Sequence, residues 1–145
     1  MNTNAKTKPP VWFWIVSALA LLWNLLGVGA YLGQAYMSTE ELQAMPEAHQ
    51  QLLEAQPAWY TAAFAIAVFA GAVGSLLLVL RKKWAHQILI LSLLGILVQQ
   101  TYMFFLSDTF DVMGTNAMYM PLLIVIVGFL LVFLARAATD KGWLS

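Results

Sequence analysis

Four uninterrupted apolar stretches, Val11 to Gly33, Ala58 to Leu80, Trp84 to Leu106 and Met118 to Ala135, contain no Asp, Glu, Lys or Arg. The hydrocarbon core of a bilayer is about 30 Å thick, and a helix rising ~1.5 Å per residue crosses it in about 20 residues. All four stretches meet that length, the last only narrowly. Lipid offers no partners to backbone N–H and C=O groups, so apolar runs of this length must be helices. Burying all four in a soluble bundle fails on composition. The chain is 61% apolar and 10% charged, whereas a soluble domain is about half apolar and a quarter charged. Too few charges exist to coat a water-facing surface. The expected fold is an all-α membrane protein, a four-transmembrane-helix bundle with spans near 11–33, 58–80, 84–106 and 118–135 in one domain over 11–138.

The polar pieces between the spans alternate in sign. Lys6 and Lys8 precede the first span, Arg81, Lys82 and Lys83 separate the second from the third, and Arg136 and Lys141 follow the fourth. Glu40, Glu41, Glu47, Glu54, Asp108 and Asp111 fill the other two gaps, and only Asp140 sits among the bases. Short loops rich in Lys and Arg stay in the cytoplasm. Both termini and the turn at 81–83 are therefore expected inside, and in a bacterial cell the acidic loops face the periplasm from the inner membrane. The first span outlasts the apolar region of a signal peptide and lacks a convincing cleavage pattern around Gly33 to Ala35, so it is read as retained. Residues 1–10 read as a disordered cytoplasmic segment and 139–145 as a cytoplasmic tail. Aromatic residues supply belts, with Trp12, Phe13, Trp14 and Trp84 at the inner surface and Tyr31, Tyr36, Trp59, Tyr60, Tyr102 and Tyr119 at the outer.

The outer loop, 34–57, carries helix signals of its own. Ser38 and Glu41 have capping-box spacing, which predicts a short helix from about Thr39 to Ala44. Pro46 suits the first turn of a second helix through Glu54, ended before Pro57. These form a short helical periplasmic cap between the first two spans, with Leu42, Met45, Leu52 and Leu53 available to rest on the bundle.

In the second span Ala63, Ala67, Gly71 and Ser75 recur every four residues, with Ala70 and Gly74 on the adjoining stripe. Small side chains at this spacing let another backbone approach closely, which matters where Leu gains nothing by leaving lipid for Leu. The second span is therefore expected to be central, packing on a neighbouring span or on another copy. The fourth span has no polar side chain from Leu122 to Leu134 and is expected to face lipid, with a close contact only at Gly128.

Polar groups within the spans are few: Asn24 in the first, and Ser92, Gln99 and Gln100 in the third. Ser92, Gly95, Gln99 and Tyr102 share one helical face. Asn24 and Gln99 come to similar depths and could hydrogen-bond each other, since an amide in hydrocarbon needs a partner; alternatively they line an interior for a small neutral solute. No ionisable group lies at mid-membrane depth, which argues against a carboxylate-based proton-coupled carrier. Cysteine is absent, and neither His49 nor His86 has a second histidine at ligand spacing, so no metal site or cofactor is expected. The zero net charge and lack of a basic stripe give no reason to expect nucleic acid. Arg81, Lys82, Lys83 and Arg136 could meet anionic lipid headgroups.

The stretches WNLLGVGAYLGQAYM at 23–37 and PAWYTAAFAIAVFAGAVGSLLLVLRKKWA at 57–85 resemble a family of small bacterial four-span proteins usually left hypothetical or labelled as a sugar transporter. Size and span count are more loosely similar to DoxX-type membrane proteins. The resemblance implies a transport label that no residue carries by itself. The leading expectation is a non-enzymatic inner-membrane protein acting through helix packing with itself or a membrane partner. The alternative is a facilitator of a small neutral solute such as a sugar, through an interior lined by Asn24 and Gln99.

Overall fold

The computed structural model describes residues 7–145. Lys6 and the disorder expected over 1–6 lie outside the described residues. Within them, seven α-helices follow in order: α1 (Val11–Ala35), α2 (Thr39–Gln43), α3 (Glu47–Ala55), α4 (Ala58–Val79), α5 (Trp84–Thr101), α6 (Thr109–Met113) and α7 (Tyr119–Asp140). A π-helical turn, Tyr102–Leu106, prolongs α5, and a 3-10 turn, Thr115–Met118, leads into α7. Four helical segments are long and apolar enough to cross a membrane: α1, α4, α5 with its π turn, and α7 with the turn before it.

Local chemistry explains most helix ends. Pro10 and Pro57, extended at ψ 162° and 159°, stand just before α1 and α4, where a missing N–H leaves no donor unpaired. Pro121 falls within the first turn of α7 for the same reason. Ser38 caps α2, its Oγ accepting from the Glu41 N–H at 3.1 Å; the return bond from the Glu41 carboxylate is not made among the described residues. Pro46 caps α3 from outside rather than occupying its first turn. The two loop helices thus form close to where the turn chemistry puts them. The loop helices and span ends are joined by Gln34 Nε2 donating to Gln56 Oε1 at 2.7 Å and by Tyr102 Oη donating to the Ala55 carbonyl at 3.4 Å.

The spans pack as α1 on α4, α4 on α5 and α5 on α7, with the α4–α5 pair the most extensive contact. At the end of the bundle that holds Arg81, all four contribute to one apolar core of Phe13, Ala20, Leu78, Leu89, Leu131 and Ala135, joined by Trp143 and Leu144 from beyond α7. Phe13, Tyr60 and Tyr102 are 0%, 3% and 8% exposed. These three are therefore core residues and not interface anchors, whereas Trp12, Trp59, Trp84, Tyr36 and Tyr119 do remain exposed.

Both helix ends at this pole close with the same device. After α4 the Lys82 N–H returns to the Leu77 carbonyl and that of Arg81 to Leu78; after α7 the Trp143 N–H returns to Ala138 and that of Gly142 to Thr139. This pairing is the Schellman motif, which places one residue in the left-handed region. Gly142 takes that place after α7 at φ 78°, but after α4 it is Arg81 at φ 59°. An L side chain there costs about 1–2 kcal/mol. Hydrogen bonds offset the cost. Arg81 Nε donates to the Trp143 carbonyl at 2.8 Å and Nη2 to the Thr7 carbonyl at 3.1 Å, while the Arg81 carbonyl accepts from the Ser145 N–H at 2.9 Å. Thr7 N–H also donates to the Gly142 carbonyl at 3.0 Å, and the Trp143 ring packs at 5.5 Å from Trp12 and 5.4 Å from Phe13. Residues 7–10, expected to be disordered, and the tail at 139–145 are consequently pinned together, with α7 itself running to Asp140.

Arg81→Gly relieves the backbone cost and loses the side-chain bonds, whereas Arg81→Ala loses the bonds and keeps the cost. Both should be less stable than the wild type in detergent unfolding, and Arg81→Gly should exceed Arg81→Ala by about 1 kcal/mol. Equal stability of the two variants contradicts the strained clasp.

Candidate functional site

The small-residue ladder of α4 faces inward, and its length is used up by neighbours within the chain. Ala63, Ala67, Gly71, Gly74 and Ser75 are all buried. A Cβ placed on Gly95 of α5 would meet the Ala67 nitrogen at 2.9 Å and the Ala63 carbonyl oxygen at 3.0 Å. Two backbones therefore touch at this crossing, and Ser92 strengthens it by donating from Oγ to the Ala67 carbonyl at 2.6 Å. Gly74 accommodates Leu89, and Gly71 accommodates Asn24, whose Oδ1 would collide with any added Cβ.

Asn24 and Gln99 do not bond each other. Asn24 Nδ2 donates to Ser75 Oγ and, back along its own helix, to the Ala20 carbonyl, both at 2.9 Å. A carbonyl can only accept, so these bonds settle which end of the amide is nitrogen. Gln99 instead meets the Tyr60 hydroxyl at 3.4 Å. The expected pairing fails because Gly71 and Ser75 give Asn24 a notch in α4, and the ladder draws it there before it can reach across to α5. Gln100 is 6% exposed, and among the described residues its Oε1 has no partner, nor has the Oγ of fully buried Ser17 on α1, which carried no signal in the sequence. Lys82, Lys83 and Arg136 are exposed, whereas the Arg81 guanidinium turns back to the chain's own carbonyls.

What Asn24 and Gln99 share is a cavity. A cleft of about 320 Å³ opens between α1 and α7, over a floor formed by α4 and α5. Trp23, Leu26, Gly27 and Ala30 form one wall, Met120 and Ile124 the other, and Ala67, Val68, Ile96 and Gln99 line the floor. Toward the Arg81 pole the space narrows to about 10 Å³ between Asn24, Leu89, Gly128 and Leu131. There Gly128 brings α7 close to α5, since a Cβ on it would meet Ile96 Cδ1 at 3.0 Å. The clasp joins α1 and α7 at one end, and beyond Gly128 the two diverge. A second groove of about 260 Å³, on the opposite side of the α4–α5 pair, is lined by Trp59, Ile66, Leu91, Leu94 and Val98, with no amide, hydroxyl or charged side chain. Asn24 and Gln99 are what distinguish the cleft from it.

Among the described residues no group of three or more His, Cys, Asp or Glu is placed to hold a metal. No acid, base or nucleophile lines the cleft. Acidic side chains occur in separate hollows near the loop helices, Glu54 beside Gln34 and Gln56 in one and Asp108 beside Tyr102 in another. Comparison with protein-family models, curated proteins and solved structures finds no match to this chain.

Gly95→Ala should cost about 1–3 kcal/mol, because the methyl group meets backbone that cannot move aside. Gly29→Ala, where an added Cβ meets nothing within 4 Å, should be neutral or stabilising by up to about 1 kcal/mol through helix propensity. Unfolding of both variants in mixed micelles checks the contrast, and a Gly95→Ala protein as stable as the wild type would refute the backbone contact.

Proposed function

We propose that this chain is a non-enzymatic integral membrane protein, oriented with Arg81 and both termini in the cytoplasm and the α2–α3 cap outside. It acts by receiving another membrane component on its α1–α7 face. The cleft is the observation that carries this reading. The α4 ladder, which by sequence could have served association between copies, is occupied by α5 and by Asn24. That leaves the α1–α7 cleft and the apolar groove opposite it, of which the cleft alone is bordered by amide side chains. Exposed Leu26 and Met120 line the cleft, so the face opens sideways toward lipid.

A facilitator for a small neutral solute remains the second reading, favoured by the presence of Asn24 and Gln99 on one cavity. It accords less well with the Arg81 pole, where Phe13, Leu78, Leu131, Trp143 and Leu144 fill the interior. A passage for polar molecules would have to cross that packed layer.

Photo-crosslinking amino acids at Leu26 and Met120 should capture membrane components in native membranes, while the same group at Leu94 on the opposite groove should capture markedly less. Equal yields at all three positions would remove the cleft from consideration. Orientation can be read separately because the chain has no cysteine. Ser38→Cys should react with an impermeant maleimide from outside intact cells and Lys82→Cys only after lysis; the reverse pattern inverts the topology.

A further inference from the structure

We propose that the α1–α7 cleft binds one uncharged, lipid-soluble molecule, an apolar chain bearing a hydroxyl head, with the head on Gln99 and the chain between α1 and α7. The inference rests on the reading of this face as a docking surface and names its occupant. The cleft of about 320 Å³ opens toward lipid, so it can seat part of an apolar chain or a small ring system while the remainder stays in the bilayer. The walls reject charge, because Trp23, Leu26, Ala30, Met120 and Ile124 offer no counter-ion, and an unpaired ion in hydrocarbon is costly.

One polar group distinguishes the floor. Gln99 is 7% exposed, its only hydrogen bond among the described residues is to the Tyr60 hydroxyl, and its side chain borders the cleft. An amide has one accepting and one donating end, and the Tyr60 hydroxyl can serve either. Half of the amide is thereby left unserved inside an apolar cleft. A hydroxyl both donates and accepts, so it complements whichever end remains. Asn24 has no free donor, since its nitrogen is committed to Ser75 and Ala20, and its oxygen beside Gly71 offers an acceptor only. A sugar fits less well, because most of its several hydroxyls would be stranded among apolar walls. The ligand enters sideways from the bilayer, past Leu26 and Met120.

The test uses the full-length protein in phosphatidylcholine vesicles with two photoreactive probes, hexadecanol and hexadecane, each carrying a mid-chain diazirine. The alcohol should label residues 23–30 and 120–124 more strongly than the hydrocarbon by about three- to thirtyfold, the range expected of one hydrogen bond inside a bilayer. Unlabelled hexadecanol should compete. Gln99→Leu should reduce alcohol labelling to the hydrocarbon level. Ala30→Phe, at an exposed position where folding is not at risk, should block both probes by filling the cleft. Equal labelling by the two probes, or alcohol labelling that survives both substitutions, overturns the proposal. If crosslinkers at Leu26 and Met120 capture protein while neither probe labels the cleft, the lipid assignment fails and the docking face stands. If nothing is captured there by any reagent, both fail.

Discussion

The contact of Gly95 with the backbone at Ala63 and Ala67 sets the spacing from which the rest of the bundle follows. In water a helix pair can be held apart by large side chains and still gain from excluding solvent. In lipid that gain is missing, so association depends on close packing and hydrogen bonds between helices. Ala67, Gly71 and Gly95 remove the side chains that would prevent it, and the Ser92 hydroxyl reaches the Ala67 carbonyl. With α4 and α5 this close, α1 can lay Asn24 into the remaining notch and α7 can lay Gly128 on α5. Neither outer helix then meets the other along its length.

That arrangement gives the two poles different characters. At the Arg81 pole, Trp143 and Leu144 fold back between the helix ends, and Arg81 in a left-handed conformation gathers carbonyls from Thr7 and Trp143. At the other pole α1 and α7 leave the cleft between them, and Tyr60, Gln99 and Tyr102 form a small polar group near the end of α3. Tyr60 and Tyr102 lie 4.8 Å apart between ring centres. The π-helical turn starting at Tyr102 lies directly after this group. A π turn commonly marks a helix bent to serve a local purpose, and here the Tyr102 hydroxyl meets Ala55 at the end of α3.

Much of this was legible residue by residue. Long uncharged runs identify spans because lipid tolerates no other backbone solution, and Ser38 and Pro46 identify helix starts because capping is a local matter. The ladder in α4 identifies a face of close approach, although spacing alone does not name its partner. Asn24 and Gln99 illustrate the limit. Similar depth made them plausible partners, yet a hydrogen bond between helices requires the correct rotation of each about its axis, and Gly71 and Ser75 turned Asn24 toward α4. Arg81 illustrates another limit. By composition it belonged to a charge cluster meeting headgroups; by conformation it occupies a glycine's place and binds its own chain.

By itself the sequence determined the helical class, the four spans, the charge alternation and the small-residue face, since each follows from solvent, length or local geometry. Tertiary structure alone decided that the ladder is consumed internally, that Trp143 and Arg81 bind the ends together, and that a cleft with a single half-served amide lies between α1 and α7. The difference is physical. Span identity depends on the chemistry of one segment, whereas a cavity is the space left by four helices whose rotations are settled only against one another.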